Sequence, residues 1–228
     1  MQLATYGQQT QVLSQGANRV LRNTYMLLAL TMVPTVAGAL LGVQMQFSFM
    51  AGSPFISFLL FMGISFAFFY GIEKNKNSGV GVALLLGFTF FMGLMLSRIL
   101  QVALGFSNGG SLIAMAAGGT GLIFFSLAGV ATVTKKDFSF LGKFLFIGMI
   151  VVLLAALANA FFQIPALSLT ISAIAVMVFS AYILYDISRI VNGGEDNYIS
   201  ATLAVYLDIY NVFVSLLNLL MFFSGDRD

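Results

Sequence analysis

Seven apolar runs, each long enough to cross a bilayer, decide what this chain can fold into. A helix rises about 1.5 Å per residue, so roughly 20 apolar residues cross a hydrocarbon core about 30 Å thick. Such runs cover residues 25–44, 52–71, 79–101, 111–133, 138–161, 166–190 and 201–223. In lipid every backbone N–H and C=O must be bonded within the protein, so each run reads as a helix. A membrane barrel would need short alternating segments, and these runs do not alternate. The breaks carry turn chemistry: Gly52-Ser53-Pro54, Lys74-Asn75-Lys76-Asn77, Ser107-Asn108-Gly109-Gly110, Gln163-Ile164-Pro165 and Asn192-Gly193-Gly194. The expected architecture is all-α and integral to the membrane, a bundle of seven transmembrane helices. Residues 1–18 are polar and glutamine-rich, with no apolar signal core, and are expected to form a disordered cytoplasmic tail. Residues 19–228 form a single transmembrane domain.

Composition agrees with a lipid solvent. Charged residues make up only 8% of the chain, against about 25% in a soluble domain. Cysteine and histidine are both absent. That removes disulfides, thiolate and imidazole metal ligands, and nucleophiles activated by histidine. The 10 lysines and arginines are scattered, so nothing suggests nucleic-acid binding.

Those cations orient the chain. With the N-terminus in the cytoplasm, cytoplasmic segments hold Arg19, Arg22, Lys74, Lys76, Lys135, Lys136, Lys143 and Arg189, and the far side holds only Arg98 and Arg227. This is the positive-inside bias, and an odd number of spans puts the C-terminus outside, in the periplasm or extracellular space. Arg98 reads as a snorkelling anchor near the outer end of helix three. Tyr25, Tyr70, Tyr185 and Tyr198 supply an aromatic belt in a chain without tryptophan. Small residues mark close helix approaches: Gly38 and Gly42 with Thr31 and Thr35 on helix one, Gly118-Gly119-Thr120-Gly121 on helix four, and Ala155-Ala156-Leu157-Ala158 on helix five.

Two acids break the apolar pattern. An ionisable group at mid-bilayer costs at least about 2.5–3.5 kcal/mol, so Asp186 on helix six and Asp208 on helix seven are candidate functional residues. A short loop makes these helices an antiparallel hairpin, which brings both carboxylates to similar depth. Asp208, Asn211, Ser215 and Asn218 stand at i, i+3, i+7 and i+10, one polar stripe along helix seven. Such a stripe belongs against the bundle interior or a water-filled pore, which makes helix seven the expected central, most enclosed span. Two carboxylates a few Å apart cannot both ionise cheaply; they can share a proton, or offer hard oxygen ligands to Ca²⁺ when ionised. The same residues also have a purely structural reading. Asp186 can pair with Arg189 at i+3, and Asp208 can hydrogen-bond Asn211 or a neighbouring helix.

Adjacent membrane aspartates also suggest an intramembrane aspartyl protease. Here Val205-Tyr206-Leu207 precedes the second acid where a Gly-x-Gly pattern is needed, and Pro165-Ala166-Leu167 precedes both acids instead of following them. Nucleotide-binding and metalloprotease motifs are missing, and the chain reads as a non-enzyme with no cofactor.

Tyr185-Asp186-Ile187-Ser188-Arg189-Ile190, Gly193-Gly194, Asn197-Tyr198-Ile199 and Leu207-Asp208-Ile209-Tyr210-Asn211-Val212-Phe213 closely resemble the C-terminal signature of the Bax inhibitor-1 family. Arg22-Asn23-Thr24-Tyr25 and Thr134-Lys135-Lys136-Asp137-Phe138-Ser139-Phe140-Leu141-Gly142 look like its YccA-type bacterial branch. The resemblance implies a seven-helix bundle with the last helix central. It also implies two roles: modulation of the bacterial inner-membrane protease FtsH as a binding partner, or a proton-sensitive Ca²⁺ leak controlled by an aspartate pair, here Asp186 and Asp208. Channel-type relatives carry a helix-two arginine that locks the acids. Residues 52–71 hold no basic residue, which leaves Arg189 as a possible replacement latch. Helix three shows Ser97-Arg98 where the family tends to have Gly-Pro near the external end.

Overall fold

The computed structural model describes residues 2–48 and 54–225, with side chains described over 16–48 and 55–225. Seven helices follow one another: α1 (Gln2–Gln44), α2 (Pro54–Lys74), α3 (Gly79–Leu104), α4 (Gly109–Thr134), α5 (Gly142–Phe162), α6 (Pro165–Val191) and α7 (Tyr198–Gly225), with a short 3-10 turn at Ser139–Leu141. All seven are long and apolar enough to cross a membrane, and no strand occurs among the described residues. Gly52 and Ser53 of the first expected turn, and Arg227, lie outside the described residues.

The expected disorder at the N-terminus is corrected. The backbone of residues 2–18 continues α1 as helix, consistent with a run of glutamine, leucine and alanine that lacks proline.

The tightest seam joins α1 and α3, and glycine makes it possible. A Cβ on Gly93 would stand 2.1 Å from the Thr35 carbonyl oxygen, and one on Gly38 would stand 2.2 Å from that of Phe90. The two backbones therefore touch, as the small-residue stripe on α1 anticipated. Thr31 and Thr35 return their hydroxyls to the carbonyls of Leu28 and Thr31, at 2.6 and 2.8 Å.

Helix α7 packs against α1, α2, α3, α4 and α6. Its face toward them buries Val205, Tyr206, Val212 and Leu217 completely or nearly so. Along its whole length only Phe222, Phe223 and Gly225 are exposed.

The small residues of α4 and α5 do not make close approaches inside the chain. Gly118 and Gly121 have open space where a Cβ would stand, and Gly119 touches only Leu216. Helix α5 packs against α6 and the 3-10 turn, and only 6% of its most apolar stretch is buried. Its Ala156 is exposed, with Ala155 and Ala158 half-buried. Small residues permit an approach, but only a neighbouring helix on that face uses it.

The basic end of the bundle is laced together by buried polar side chains. Asn197 Oδ1 accepts the backbone N–H groups of Ile199 and Ser200 at 3.0 and 3.1 Å, capping α7. Its Nδ2 donates to the Lys76 carbonyl and to Asn77 Oδ1, fastening the α2–α3 loop to the same point. At the opposite end, Gln101 donates to the carbonyls of Gly42 and Phe47, and Asn108 bonds Ser224.

Candidate functional site

The α6–α7 hairpin turns over Asn192-Gly193-Gly194, where Gly193 takes φ +76°, a left-handed conformation that glycine adopts without strain. The tight return aligns the two helices along much of their length. Asp186 faces α7 near the end of α6, close enough to Asp208 for the two carboxyl groups to act on each other electrostatically. Asp208 is 5% exposed, and its Oδ2 has no hydrogen-bond partner among the described residues. Asp186 is half-buried. The two acids are the feature of this region that a purely apolar hairpin would not have.

Arg189 sits one turn beyond Asp186, close enough to act on it electrostatically. Its ion-pair partner is nevertheless Glu195, at 3.6 Å, and its guanidinium also donates to the Gly194 carbonyl at 3.1 Å. The same group lies 5.7 Å from the centroid of the Tyr185 ring. The expected i, i+3 pair with Asp186 does not form: the loop acid and the loop carbonyl reach the guanidinium first. In this conformation Arg189 holds the loop and leaves the acids unlatched.

The polar stripe of α7 divides. Asp208 and Ser215 are buried, whereas Asn211 and Asn218 are half-buried. Asn211 donates to the Leu207 carbonyl of its own helix at 2.8 Å, so it is not bonded to Asp208. Tyr182 on α6 stands near enough to interact with both acid charges. A calcium ion takes six to eight oxygen ligands. Among the described residues no three acidic, histidine or cysteine side chains gather around one point, so water would have to supply most of a calcium shell at the pair.

Several residues that shape this region carry no sequence alarm. Ser188, wholly buried, donates its hydroxyl to the Lys136 carbonyl at 2.9 Å and accepts the Phe138 N–H at 3.1 Å. It ties the α4–α5 loop to α6 two residues beyond Asp186. Tyr206 places its hydroxyl 3.0 Å from Thr35 Oγ1 and donates to the Thr89 carbonyl at 3.5 Å. This bond joins α7 to the α1–α3 seam. An asparagine before an apolar run was a readable cap signal for Asn197. Nothing local distinguishes Ser188 or Tyr206 from other membrane serines and tyrosines. Of the expected belt tyrosines, Tyr70 is exposed with Lys74 over its ring, but Tyr25 instead packs edge-on against Phe124 inside the bundle.

Comparison with known proteins adds an independent line. The family model described as "Inhibitor of apoptosis-promoting Bax1" matches residues 17–225. An Escherichia coli K12 protein named Modulator of FtsH protease YccA is 41% identical, over 92% of this chain and 92% of its own length. An uncharacterized protein of Pseudomonas aeruginosa is 43% identical, over 91% of this chain and 90% of its own. One from Neisseria meningitidis serogroup B is 41% identical, over 92% and 93%.

Proposed function

The chain belongs to the Bax inhibitor-1 family, and from that premise we propose that it is a non-catalytic, multi-pass protein of the bacterial inner membrane that binds and modulates an FtsH-type membrane protease. One observation carries this reading: near-complete alignment with a relative named as a modulator of FtsH. A second E. coli relative is named as an inner membrane protein. Residues 1–18 then lie in the cytoplasm and residues 19–228 form the membrane domain. The C-terminus is periplasmic. Lateral contact surface is ample, since α5 buries only Leu145 and Val152. Co-purification of the full chain with FtsH from mixed bilayers tests the proposal. Retention that survives Asp186→Asn and Asp208→Asn, but not removal of residues 1–18 or polar substitutions on α5, supports modulation. No retention by the native chain would overturn it.

A second reading rests on the acid pair: a proton-sensitive cation leak, with calcium as the transported ion. Asp186 and Asp208 share a proton when closed, and its loss forces the two carboxylates apart or fills the space between them with a cation. Asn211, Ser215 and Asn218 line the path beyond, and Arg189 becomes a latch only after leaving Glu195. Flux should then rise with pH. Calcium entry into proteoliposomes between pH 6 and 8 decides this. A flux that Asp208→Asn makes indifferent to pH supports the leak, and none above empty vesicles sinks it.

A further inference from the structure

At the basic end, the cations of two segments have no ion-pair partner among the described residues: Arg19 with Arg22 on α1, and the lysines where α4 passes into α5. Lys76 pairs with Glu73 and Arg189 with Glu195, and Lys74 rests 5.8 Å from the Tyr70 ring centroid. On the α4–α5 loop and the first turn of α5, Lys135, Lys136 and Lys143 are exposed, and none has an ion-pair partner among the described residues. The acid between them is occupied. Asp137 Oδ1 accepts the Ser139 N–H at 2.8 Å, and hydrogen bonds from the Ser139 side chain and backbone hold its carboxyl below the usual carboxylate range. It is therefore committed to shaping the 3-10 turn.

Aromatic rings alternate with these cations. Phe140 and Phe144 are 67% and 75% exposed, and the Phe138 and Phe140 centroids lie 6.4 Å apart. The loop is also held in place. Lys135 ends α4 in a left-handed conformation, φ 52°, which turns the chain sharply across the bundle end. Ser188 and Asn192 then grip the Lys136 carbonyl at 2.9 and 3.3 Å. Gly142 lies against the Tyr185 ring, where a Cβ would come within 2.9 Å of the hydroxyl. A fastened loop with three free ammonium groups and outward rings, placed where two membrane spans meet, matches an anionic lipid surface. Headgroup phosphate answers the lysines and acyl chains receive the rings.

We propose that the α4–α5 loop binds anionic phospholipid headgroups, with Lys135, Lys136 and Lys143 on the phosphate and Phe140 and Phe144 among the acyl chains. The inference is independent of both readings above. The test is native mass spectrometry of the full-length chain in detergent, offered phosphatidylglycerol or phosphatidylcholine of equal chain length. The native chain should retain phosphatidylglycerol preferentially. Lys135→Gln, Lys136→Gln and Lys143→Gln together should cut that retention roughly a hundredfold, since each surface lysine contributes about fivefold to attraction by an anionic leaflet. Arginine at the same three positions should preserve it, and Arg19→Gln with Arg22→Gln should leave it unchanged. Equal retention of both lipids would overturn the proposal. So would an equal loss in the Arg19 and Arg22 variant, which would reduce the effect to diffuse attraction by any cation at this end. Displacement of the lipid by millimolar inorganic phosphate would mark a free-phosphate site and overturn the lipid assignment.

Discussion

The α1–α3 seam and the α6–α7 hairpin are both extensive helix pairs, built from opposite materials. In the first, glycine brings backbone against backbone, and Thr31, Thr35 and Ser97 each return their hydroxyl to a carbonyl one turn away. In the second, no glycine closes the seam, and polar groups are left over. Asp208 Oδ2 and Ser180 Oγ are buried without a hydrogen-bond partner. An unsatisfied polar atom costs about 1–3 kcal/mol, and such atoms also occur at Thr24 Oγ1 on α1 and Ser65 Oγ on α2. What the hairpin adds is a pair of neighbouring carboxyl groups.

Substitutions sharpen that contrast. Gly93→Leu should do the greatest damage, because its side chain would start 2.1 Å from a carbonyl oxygen that cannot yield. Overpacking of this kind costs about 3 kcal/mol or more, visible as a large fall in the thermal unfolding midpoint in detergent. Gly118→Ala on α4 is the matched control, with open space around it, and should leave the midpoint unchanged or slightly raised. Equal effects at the two sites would break the claim that backbone contact closes the α1–α3 seam.

Asn197→Ala comes next. It removes the α7 cap and both bonds to the α2–α3 loop, for a loss of about 1–2 kcal/mol in the same assay. Tyr206→Phe, which deletes the hydroxyl linking α7 to the scaffold, should cost about 1 kcal/mol, since Thr35 keeps its bond to Thr31.

The smallest stability effect is expected at the acid pair. Asp208→Asn keeps the shape and supplies an amide donor toward Asp186, so the unfolding midpoint should move by less than about 1 kcal/mol. Any pH-dependent flux should disappear in the same variant. A fall as deep as that of Gly93→Leu would make the carboxyls bundle glue and erase the distinction between the two helix pairs.

Much of this was legible from residues alone, for a physical reason. Lipid forbids unpaired backbone, so apolar run lengths fix the helices. Asp186 and Asp208 stood out because charge in an apolar run has a cost that any reader can assign. The N-terminal helix was missed because a polar segment without breakers looks the same whether it coils or extends an existing helix.

What the sequence by itself determined is the set of spans, their order and the two acids, all properties of single segments. Partner choice belonged to the tertiary structure. Gly118 and Gly121 of α4 are as small as Gly38 of α1, yet only Gly38 has a backbone lying against it. Arg189 is one turn from Asp186, yet bonds Glu195 because the loop folds that acid and the Gly194 carbonyl within reach. Ser188 became the anchor of the α4–α5 loop through a carbonyl 52 residues away. Such contacts depend on which surfaces the packed helices present to one another, and no local pattern encodes that.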